Sequence, residues 1–233
     1  MSVMNTFYNT VALLPMKAHS ARVQGKNFRL LAGRPLFRWI LDSLLELPEI
    51  EAIVINTDAR GILAENGLIS GGRIIIRDRV PELCGDFTSM NLILGNDIDD
   101  VFAERYIMTH TTNPLLSGKT IRAALVAYEK GVAANTCDSL FSANRCQSRL
   151  YRTDGSPVNH DPRKLIRTQD LEPWFEENSN LYIFSRRSFS QTQARIGAKP
   201  LIFETPRIES VDIDDQQGWD FAEKLAMAGN GKI

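Results

Sequence analysis

Short apolar runs alternate with amphipathic stretches along the first 130 residues. Val11–Leu14 ends at Pro15, which predicts a buried strand followed by a break, and the apolar positions after Pro35 recur at helical spacing. The same alternation predicts further strands at Ala52–Asn56, Ile74–Ile76 and Tyr106–Met108, and helices near 59–66, 88–98 and 118–130. Apolar strands separated by helices predict an α/β fold, with a Rossmann-like, mostly parallel sheet and helices on both faces.

The pattern changes after Asn135. Ser139–Ser142 and Arg149–Arg152, with the turn sequence Asp154–Pro157, predict a hairpin. Residues 144–178 carry many charges and few apolar side chains, which predicts an exposed arm. The pattern then predicts strands again, at Leu181–Phe184, Leu201–Glu204 and Val211–Asp214. A helix is predicted from Trp219 to Ala228.

Composition narrows the classes of partner. The 233 residues carry 27 Lys and Arg against 28 Asp and Glu, a formal net charge of −1. A nucleic-acid-binding protein usually has a clear basic excess, so we expect no nucleic-acid partner. Since no apolar run approaches the ~20 residues that cross a bilayer and the N-terminus lacks signal-peptide features, we expect a cytoplasmic protein without a membrane partner.

Polar side chains crowd the loop that follows the first predicted strand. Ligands of open α/β sheets bind at the carboxyl ends of strands, so this loop is the first candidate site. Its candidate ligands for an anion are Lys17, Ser20, Arg22, Lys26 and Asn27. A solvated basic loop is the competing interpretation. Neither G-x-G-x-x-G nor a P-loop motif is present, which disfavours dinucleotide-dependent dehydrogenases and P-loop NTPases.

A carboxylate pair lies near the end of the chain. If Val211–Asp214 is a strand, Asp212 and Asp214 point to the same face because side chains alternate. Two such carboxylates can share a Mg²⁺ ion whose remaining ligands are phosphates and water. The alternative is a solvated strand edge, since D-x-D is a common sequence.

Two further loops follow predicted strands. The first, 79–89, contains Arg79, Thr88 and Ser89, and the second, 110–115, begins at His110. Both should lie at the same edge as the first loop. Thr88 is equally well explained as a helix N-cap. His110 is a candidate hydrogen-bond donor or general base for a ligand, or simply a loop histidine with protein partners.

Five motifs, in this order, resemble those of the acylneuraminate (CMP-sialic acid synthetase-like) cytidylyltransferases. They are L-P-x-K at 14–17 with K-N at 26–27, R-x-P-E-L-x-G-D at 79–86, T-x-P-L at 112–115, N-x-x-x-Y-I at 178–183 and D-I-D at 212–214. The resemblance covers most of the chain. It implies one nucleotidyltransferase domain over 1–233, with the nucleotide-diphospho-sugar transferase fold and an inserted dimerisation arm at 140–178.

The resemblance also implies an activity. Members of this family couple CTP to the anomeric hydroxyl of a 2-keto sugar acid, which gives a CMP-sugar and pyrophosphate. The implied nucleotide-binding residues are Lys17, Ser20, Arg22, Lys26, Asn27, Arg79, Thr88 and Ser89. Asp212 and Asp214 match the Mg²⁺-binding pair, and the implied catalytic residues are Arg22, Lys17, Asp212 and Asp214.

The expected sugar contacts are His110, Thr112, Asn178 and Tyr182. Through a homodimer, Arg163, Lys164 and Arg167 on the arm are candidates to reach the neighbouring sugar site. The chain departs from the family pattern at Lys17, where Arg is usual, and at Ala21, where Lys is usual and Arg22 follows. The departures at Lys17 and Ala21 leave a catalytically weakened nucleotide-binding homologue as one alternative. Departures around the expected sugar pocket, at His110 and Glu177–Asn178, leave a nucleotidyltransferase for another sugar acid, such as 3-deoxy-manno-octulosonate, as a second.

Overall fold

A seven-stranded sheet runs through the computed structural model, which describes residues 6–19 and 23–229. The strands, including a separate two-stranded ladder of β2 and β3, are β1 (Phe7–Leu13), β2 (Leu30–Leu31), β3 (Arg34–Pro35), β4 (Ala52–Thr57), β5 (Ile74–Asp78), β6 (Phe102–Thr109), β7 (Ser139–Cys146), β8 (Trp174–Ser185) and β9 (Pro200–Glu204). The order across the large sheet is β5-β4-β1-β6-β8-β7-β9. Only β8 is antiparallel to its neighbours, so the predicted mostly parallel sheet is confirmed.

Helices connect the strands and cover the sheet. They are α1 (Leu36–Leu45), α2 (Arg60–Glu65), α3 (Met90–Asp100), α4 (Gly118–Ala133), α5 (Arg186–Thr192) and α6 (Gln216–Ala228). α1 begins directly after Pro35 and buries Phe37, Ile40, Leu41 and Leu44, the stripe that its spacing predicts. None of the helices in the described part of the chain is long and apolar enough to span a bilayer.

Two hydrophobic clusters lie on opposite faces of the sheet. Successive residues of β1 alternate between them, since Ala12 packs with the cluster that includes α1 and α4, and Leu13 packs with the one that includes α3 and α5. All four core residues of β1 and its extension, 11–14, are fully buried. A strand buried on both faces appears in sequence as a continuous apolar run, which is why these strands could be predicted.

The topology sets the position of the site. β1, β4, β5 and β6 are parallel, so their carboxyl ends meet at one edge. From β1 the chain passes to β4 and β5 on one side and then to β6 on the other, which makes a topological switch point at β1. Ligands of open α/β sheets bind above such a point.

The region between β7 and β8 differs from the sequence prediction. Ser139–Ser142 pairs with β8 and β9, and not with Arg149–Arg152, so the predicted hairpin is wrong. Its Asp-Gly turn does form, with Gly155 at φ +81°, but it closes a small local turn in which Tyr151 bridges Pro157. Moreover, 174–178 belongs to β8, which pairs with β7 as far as Cys146. The irregular, mostly exposed part of the arm is therefore 147–173.

The predicted strand Val211–Asp214 is also wrong. The segment does not join the sheet. Instead, the Ile213 amide donates to the Thr112 carbonyl at 2.9 Å, and Asn113 Nδ2 donates to the Val211 carbonyl at 3.4 Å. The alternation of side chains persists in part, since Ile213 is buried and Asp214 is exposed.

Candidate active site

The first loop leaves β1 along the edge of β4. The amides of Leu14 and Met16 donate to the carbonyls of Val54 and Asn56 at 2.8 and 3.0 Å, so the chain continues the strand pairing past the end of β1. It then turns at Gly25, whose φ of +60° is a left-handed conformation that glycine adopts at little cost. After this turn Lys26 and Asn27 are buried, and the Asn27 side chain contacts the start of the loop at Lys17.

Asn27 fastens this loop to the one that follows β6. Its Nδ2 donates to the Lys17 carbonyl at 2.8 Å, and its Oδ1 accepts from Thr111 Oγ1 at 2.6 Å. Both side chains are buried. The two loops that the sequence predicts at one edge are thus joined by one buried amide.

Lys26 joins the first loop to the carboxylate segment. Its Nζ donates to the Ile213 carbonyl at 2.6 Å, and the Ile213 amide in turn donates to Thr112. Lys26 is buried, Asp212 is half-buried and Asp214 is exposed. The structure therefore brings together the cationic loop, Thr112 and the carboxylate pair, as the sequence predicts, although the pair does not lie on a strand.

Arg79 lies beneath the first loop and is positioned by a buried network. Its Nε donates to Asn56 Oδ1 at 2.8 Å, and its Nη2 donates to the Asn56 carbonyl at 2.9 Å and to the Met16 carbonyl at 3.3 Å. Asn56 Nδ2 donates to Asp97 Oδ1 at 2.8 Å, which also accepts from Arg77 Nη1 at 2.5 Å. Asn56 and Asp97 were not predicted from the sequence. A buried polar residue at the end of an apolar strand was the available signal for Asn56.

Burial dominates the electrostatics of this network. Desolvation raises the pKa of Asp97 to about 6, against the opposing effects of Asn56 and Arg77. Desolvation also lowers the pKa of Arg79 from its ordinary value, while Asp58, Cys84 and Asp97 oppose that shift. Arg79 still carries its charge at neutral pH, because an arginine pKa begins so high.

Lys17 spans the gap between the first loop and the loop after β5. Its Nζ pairs with Asp86 at 2.7 Å, and both groups are accessible to solvent. The neighbouring Ala18 amide donates to Asp58 Oδ1 at 2.6 Å. Ser20 and Arg22, which the sequence analysis also assigns to this loop, lie outside the described residues.

Thr88 and Ser89 precede α3. Ser89 is the N-cap, because its hydroxyl accepts from the Asn91 amide at 3.3 Å. The alternative N-cap role therefore belongs to Ser89 and not to Thr88. Thr88 is half-buried, and its amide donates to the Gly85 carbonyl at 3.3 Å.

Arg195, which was not predicted from the sequence, contacts both His110 and Tyr182. The Arg195 guanidinium lies over the Tyr182 ring, with Cζ 3.8 Å from the centroid, and its Nη1 is 3.5 Å from His110 Nε2. Its Nη2 is 3.7 Å from Glu177 Oε1, which also accepts from the Tyr182 hydroxyl. Arg195 follows α5 in a turn whose sequence gives no motif, so only the fold reveals it.

His110 is held neutral in this cluster. Desolvation, with the nearby charges of Arg195 and Lys26, lowers the pKa of His110 to about 3. Burial likewise raises the pKa of the Tyr182 phenol to about 12. The arrangement favours His110 as a neutral hydrogen-bonding group over a general base near neutral pH, because so weak a base gains little driving force for proton abstraction.

Asn178 and Arg167 contact other parts of the protein. Asn178 Nδ2 donates to Asn144 and Thr205 at 3.1 and 2.7 Å, while its Oδ1 accepts from Ser142 Oγ at 2.6 Å and from the Asn180 amide at 3.3 Å. Those four bonds use the whole capacity of a side-chain amide. Arg167 lies on the exposed arm and forms a bidentate ion pair with Asp170.

Asp212 and Asp214 are the candidate metal ligands. Over residues 6–19 and 23–229, no group of three or more His, Cys, Asp or Glu side chains could hold a metal ion. Mg²⁺ is often bound by only one or two carboxylates, with phosphates and water completing its octahedral shell. Asp212 and Asp214 therefore fit a Mg²⁺ ion that arrives with a phosphate ligand, and they do not form a preformed metal cage.

Cations on the early loops and carboxylates near the C-terminus meet above the switch point of an α/β sheet, the arrangement of a nucleotidyltransferase. The cytidylyltransferase family matches residues 11–227, nearly the whole chain, and the protein belongs to that family. The resemblance noted in the sequence is confirmed.

Several relatives are similar to this chain over most of its length. A CMP-N,N'-diacetyllegionaminic acid synthase of Legionella pneumophila is 28% identical over 228 residues, covering 92% of this chain and 95% of the relative. A pseudaminic acid cytidylyltransferase of Campylobacter jejuni is 25% identical with the same coverage. An N-acylneuraminate cytidylyltransferase of Oncorhynchus mykiss is 26% identical, and the match covers 93% of this chain and 50% of that protein.

Solved structures share the fold. A CMP:2-keto-3-deoxy-manno-octonic acid synthetase complexed with CTP superimposes with a TM-score of 0.67 at 16% identity, covering 95% of this chain and 99% of that one. A 4-diphosphocytidyl-2C-methyl-D-erythritol synthase from Anaerococcus prevotii gives a TM-score of 0.67 at 12% identity, covering 94% and 96%. At these identities the comparison establishes the fold.

Proposed function

We propose that the protein couples CTP to a sialic-acid-like 2-keto sugar acid and releases pyrophosphate and a CMP-sugar. The observation that carries the proposal is the bond from Lys26 to the Ile213 carbonyl, because it holds a cationic loop against a carboxylate pair at the nucleotide-binding edge. The names of the legionaminic, pseudaminic and neuraminic acid relatives support the class of the acid.

The nucleotide occupies the side of β1 where β4 and β5 lie. Lys17, Ser20, Arg22 and Lys26 bind the triphosphate, and Asn27 holds their loop in place. Arg79 lies deeper and binds the nucleoside, and Thr88 and Ser89 border the base. The positions of Lys17, Lys26 and Arg79 around one loop support this assignment.

The reaction is a substitution at the α-phosphorus. The anomeric oxygen of the sugar acid forms a bond to that phosphorus as it loses its proton to solvent, and the bond to the bridging oxygen of the β-phosphate breaks. Negative charge develops on the departing pyrophosphate. Catalysis therefore depends on positioning and on fixed positive charge, which Lys17 and Arg22 supply.

We propose Mg²⁺ as the cofactor and Asp212 and Asp214 as its protein ligands. When bound with the nucleotide, the ion neutralises phosphate charge and orients the phosphates. The two carboxylates suit this role because Asp214 is exposed and Asp212, two residues before it, is half-buried beside the segment's contact with Lys26.

The sugar acid lies on the other side of β1, above β6 and β8. His110 and Thr112 contact it. Tyr182 is fully buried and so supports the wall of the pocket without contacting the sugar, as Asn178 does through its contacts to β7 and to the segment after β9. In a homodimer, the arm at 147–173 reaches the partner, where Arg167 exchanges Asp170 for the anionic sugar. Exposure of the arm supports this role.

The test is release of pyrophosphate from CTP and Mg²⁺ with a panel of nonulosonic acids and 3-deoxy-manno-octulosonate. We expect release to require CTP, Mg²⁺ and one of the nonulosonic acids. Release with octulosonate alone would change the sugar assignment. CTP binding without release in any mixture would contradict the proposed reaction and favour a weakened nucleotide-binding homologue, a possibility that Lys17 and Ala21 raise.

A further inference from the structure

Arg195, Glu177, Tyr182 and His110 form a compact cluster at the carboxyl end of β6. We propose that Arg195 binds the carboxylate of the sugar acid. In the absence of substrate, the Glu177 carboxylate pairs with the Arg195 guanidinium, and the substrate carboxylate replaces Glu177 when it binds. This inference rests on the proposed function and adds a specificity residue to it.

The Arg195 guanidinium is held in a fixed orientation. Arg195 is stacked on Tyr182, a fully buried ring, and its backbone amide donates to Asn91 Oδ1 at 3.2 Å. A cation stacked on an aromatic face is fixed in orientation while its N–H groups stay available at the ring edge. Its side chain is 19% exposed, so a ligand can reach it.

The polar contacts of the Arg195 guanidinium are long. The distances from the guanidinium to His110 Nε2, Glu177 Oε1 and Met108 Sδ are 3.5, 3.7 and 3.8 Å. The bidentate pair of Arg167 with Asp170, by contrast, measures 2.7 and 3.0 Å. A carboxylate in fork geometry would make shorter, charge-assisted bonds than Glu177 now makes.

The groups around Arg195 carry a charge distribution that suits an anionic ligand. His110 is neutral and Tyr182 keeps its proton. The positive charge of Lys26 is close enough to lower the pKa of His110. Glu177 is 41% exposed and can turn towards solvent when an anion arrives. An anionic group is therefore favoured beside Arg195, and a neutral sugar has no partner for the guanidinium.

The variants Arg195→Met, Arg195→Lys and Glu177→Gln test the inference, with Arg187→Met as the matched control. Arg187 is an exposed arginine on α5, at the opposite edge of the sheet. For the acid that turns over, the KM and kcat are measured beside the KM of CTP. The carboxamide of the same acid serves as a competitive ligand.

We expect Arg195→Met to raise the KM of the acid by about 10- to 100-fold, the loss of a charge-assisted pair, with the KM of CTP unchanged. Arg195→Lys should recover part of the loss. Glu177→Gln should lower the KM of the acid several-fold, since Gln still accepts from Tyr182 but no longer competes. Wild-type protein should prefer the acid to its carboxamide, and Arg195→Met should lose that preference. An unchanged KM for the acid in Arg195→Met, or an equal rise for acid and CTP, would overturn the inference.

A binding experiment distinguishes failure of the proposed reaction from failure of the proposed carboxylate site. If no acid releases pyrophosphate, the ring ¹⁵N signals of His110 are followed while the same acids are titrated into the protein with bound CTP. A saturable shift in the wild type that is absent in Arg195→Met would support the carboxylate site, and no shift with any acid would overturn it.

Discussion

Lys26 Nζ donates a hydrogen bond to the carbonyl of Ile213, across 187 residues of sequence and 2.6 Å of space. The bond connects the loop after the first strand with the segment that carries both acidic side chains. Since the Ile213 amide also donates to the Thr112 carbonyl, three separate parts of the chain meet at one residue. Lys26 thus helps to set the position of the loop after β1 relative to the segment that carries Asp212 and Asp214.

Replacing this lysine should damage both fold and function. Lys26→Met leaves the buried Ile213 carbonyl without its donor, which costs about 1–3 kcal/mol of unfolding free energy. We also expect kcat to fall more than 100-fold, because the change removes the cation that we propose as a phosphate ligand. Urea unfolding and pyrophosphate release measure the two effects.

Lys130→Met provides the control, since Lys130 is exposed near the end of α4. It should change neither quantity appreciably. A Lys26→Met protein with nearly normal kcat would show that the contact is only structural.

Asp97 should make stability depend on pH. Its pKa is raised to about 6 in the folded protein, above the ordinary value of 3.8, so the folded state binds its proton more tightly than the unfolded state. The stability that this provides is present below about pH 4 and is lost as the pH rises through about 6. Relative to Asp97→Asn, the wild type should lose roughly 1–3 kcal/mol of unfolding free energy between pH 4 and 7.

Asp99→Asn is the matched control, an exposed carboxylate on the same helix. Chemical denaturation across that pH range measures all three proteins. An equal pH dependence in wild type and Asp97→Asn would contradict a buried, proton-binding Asp97.

His110 should stay neutral in the folded protein across pH 5 to 8. Its pKa of about 3 lies below the ordinary 6.5, so the unfolded chain binds the extra proton and stability falls as the pH drops from about 6.5 towards 3. The ring ¹⁵N shifts should report a neutral imidazole whose Nε2 is unprotonated towards Arg195. Comparison with His110→Gln assigns the signal, and a titration midpoint near 6.5 would contradict the prediction.

Most of the fold could be predicted because the parallel strands are buried on both faces. Residues 11–14 and 52–57 are fully buried or nearly so, and such runs leave a clear apolar signal. The strand at 174–178 leaves none, because it pairs through its backbone while Glu176 and Glu177 stay at the surface. At 211–214 the alternation was real, but hydrogen bonds to Thr112 and Asn113 replace a sheet ladder.

The site could be predicted only where its residues follow strands. Lys17, Lys26 and Arg79 all do, and the structure brings their loops together. Arg195 meets His110 across 85 residues and comes from a turn without a motif, so its place depends on tertiary packing alone. The same holds for Asp97, whose role is visible only through Asn56.

The carboxylate pair should act through the metal. Asp212→Asn and Asp214→Asn each remove a charged ligand, so we expect the Mg²⁺ concentration for half-maximal rate to rise at least tenfold and kcat to fall. The fold should be kept, since neither change removes apolar packing. Asp220→Asn, on the nearby exposed face of α6, is the control. Mg²⁺ dependence equal to that of the wild type in both variants would remove the metal assignment.

The most direct measurement of the central claim is the identity of the product. The protein is incubated with Mg²⁺, the panel of nonulosonic acids and CTP that is labelled at the α-phosphorus. The products are separated, and their masses are measured by mass spectrometry. The account predicts one labelled product whose mass equals CMP joined to one sugar acid with loss of water, formed in equal amount with pyrophosphate. Label found only in CTP, or only in free CMP, with every acid would contradict it.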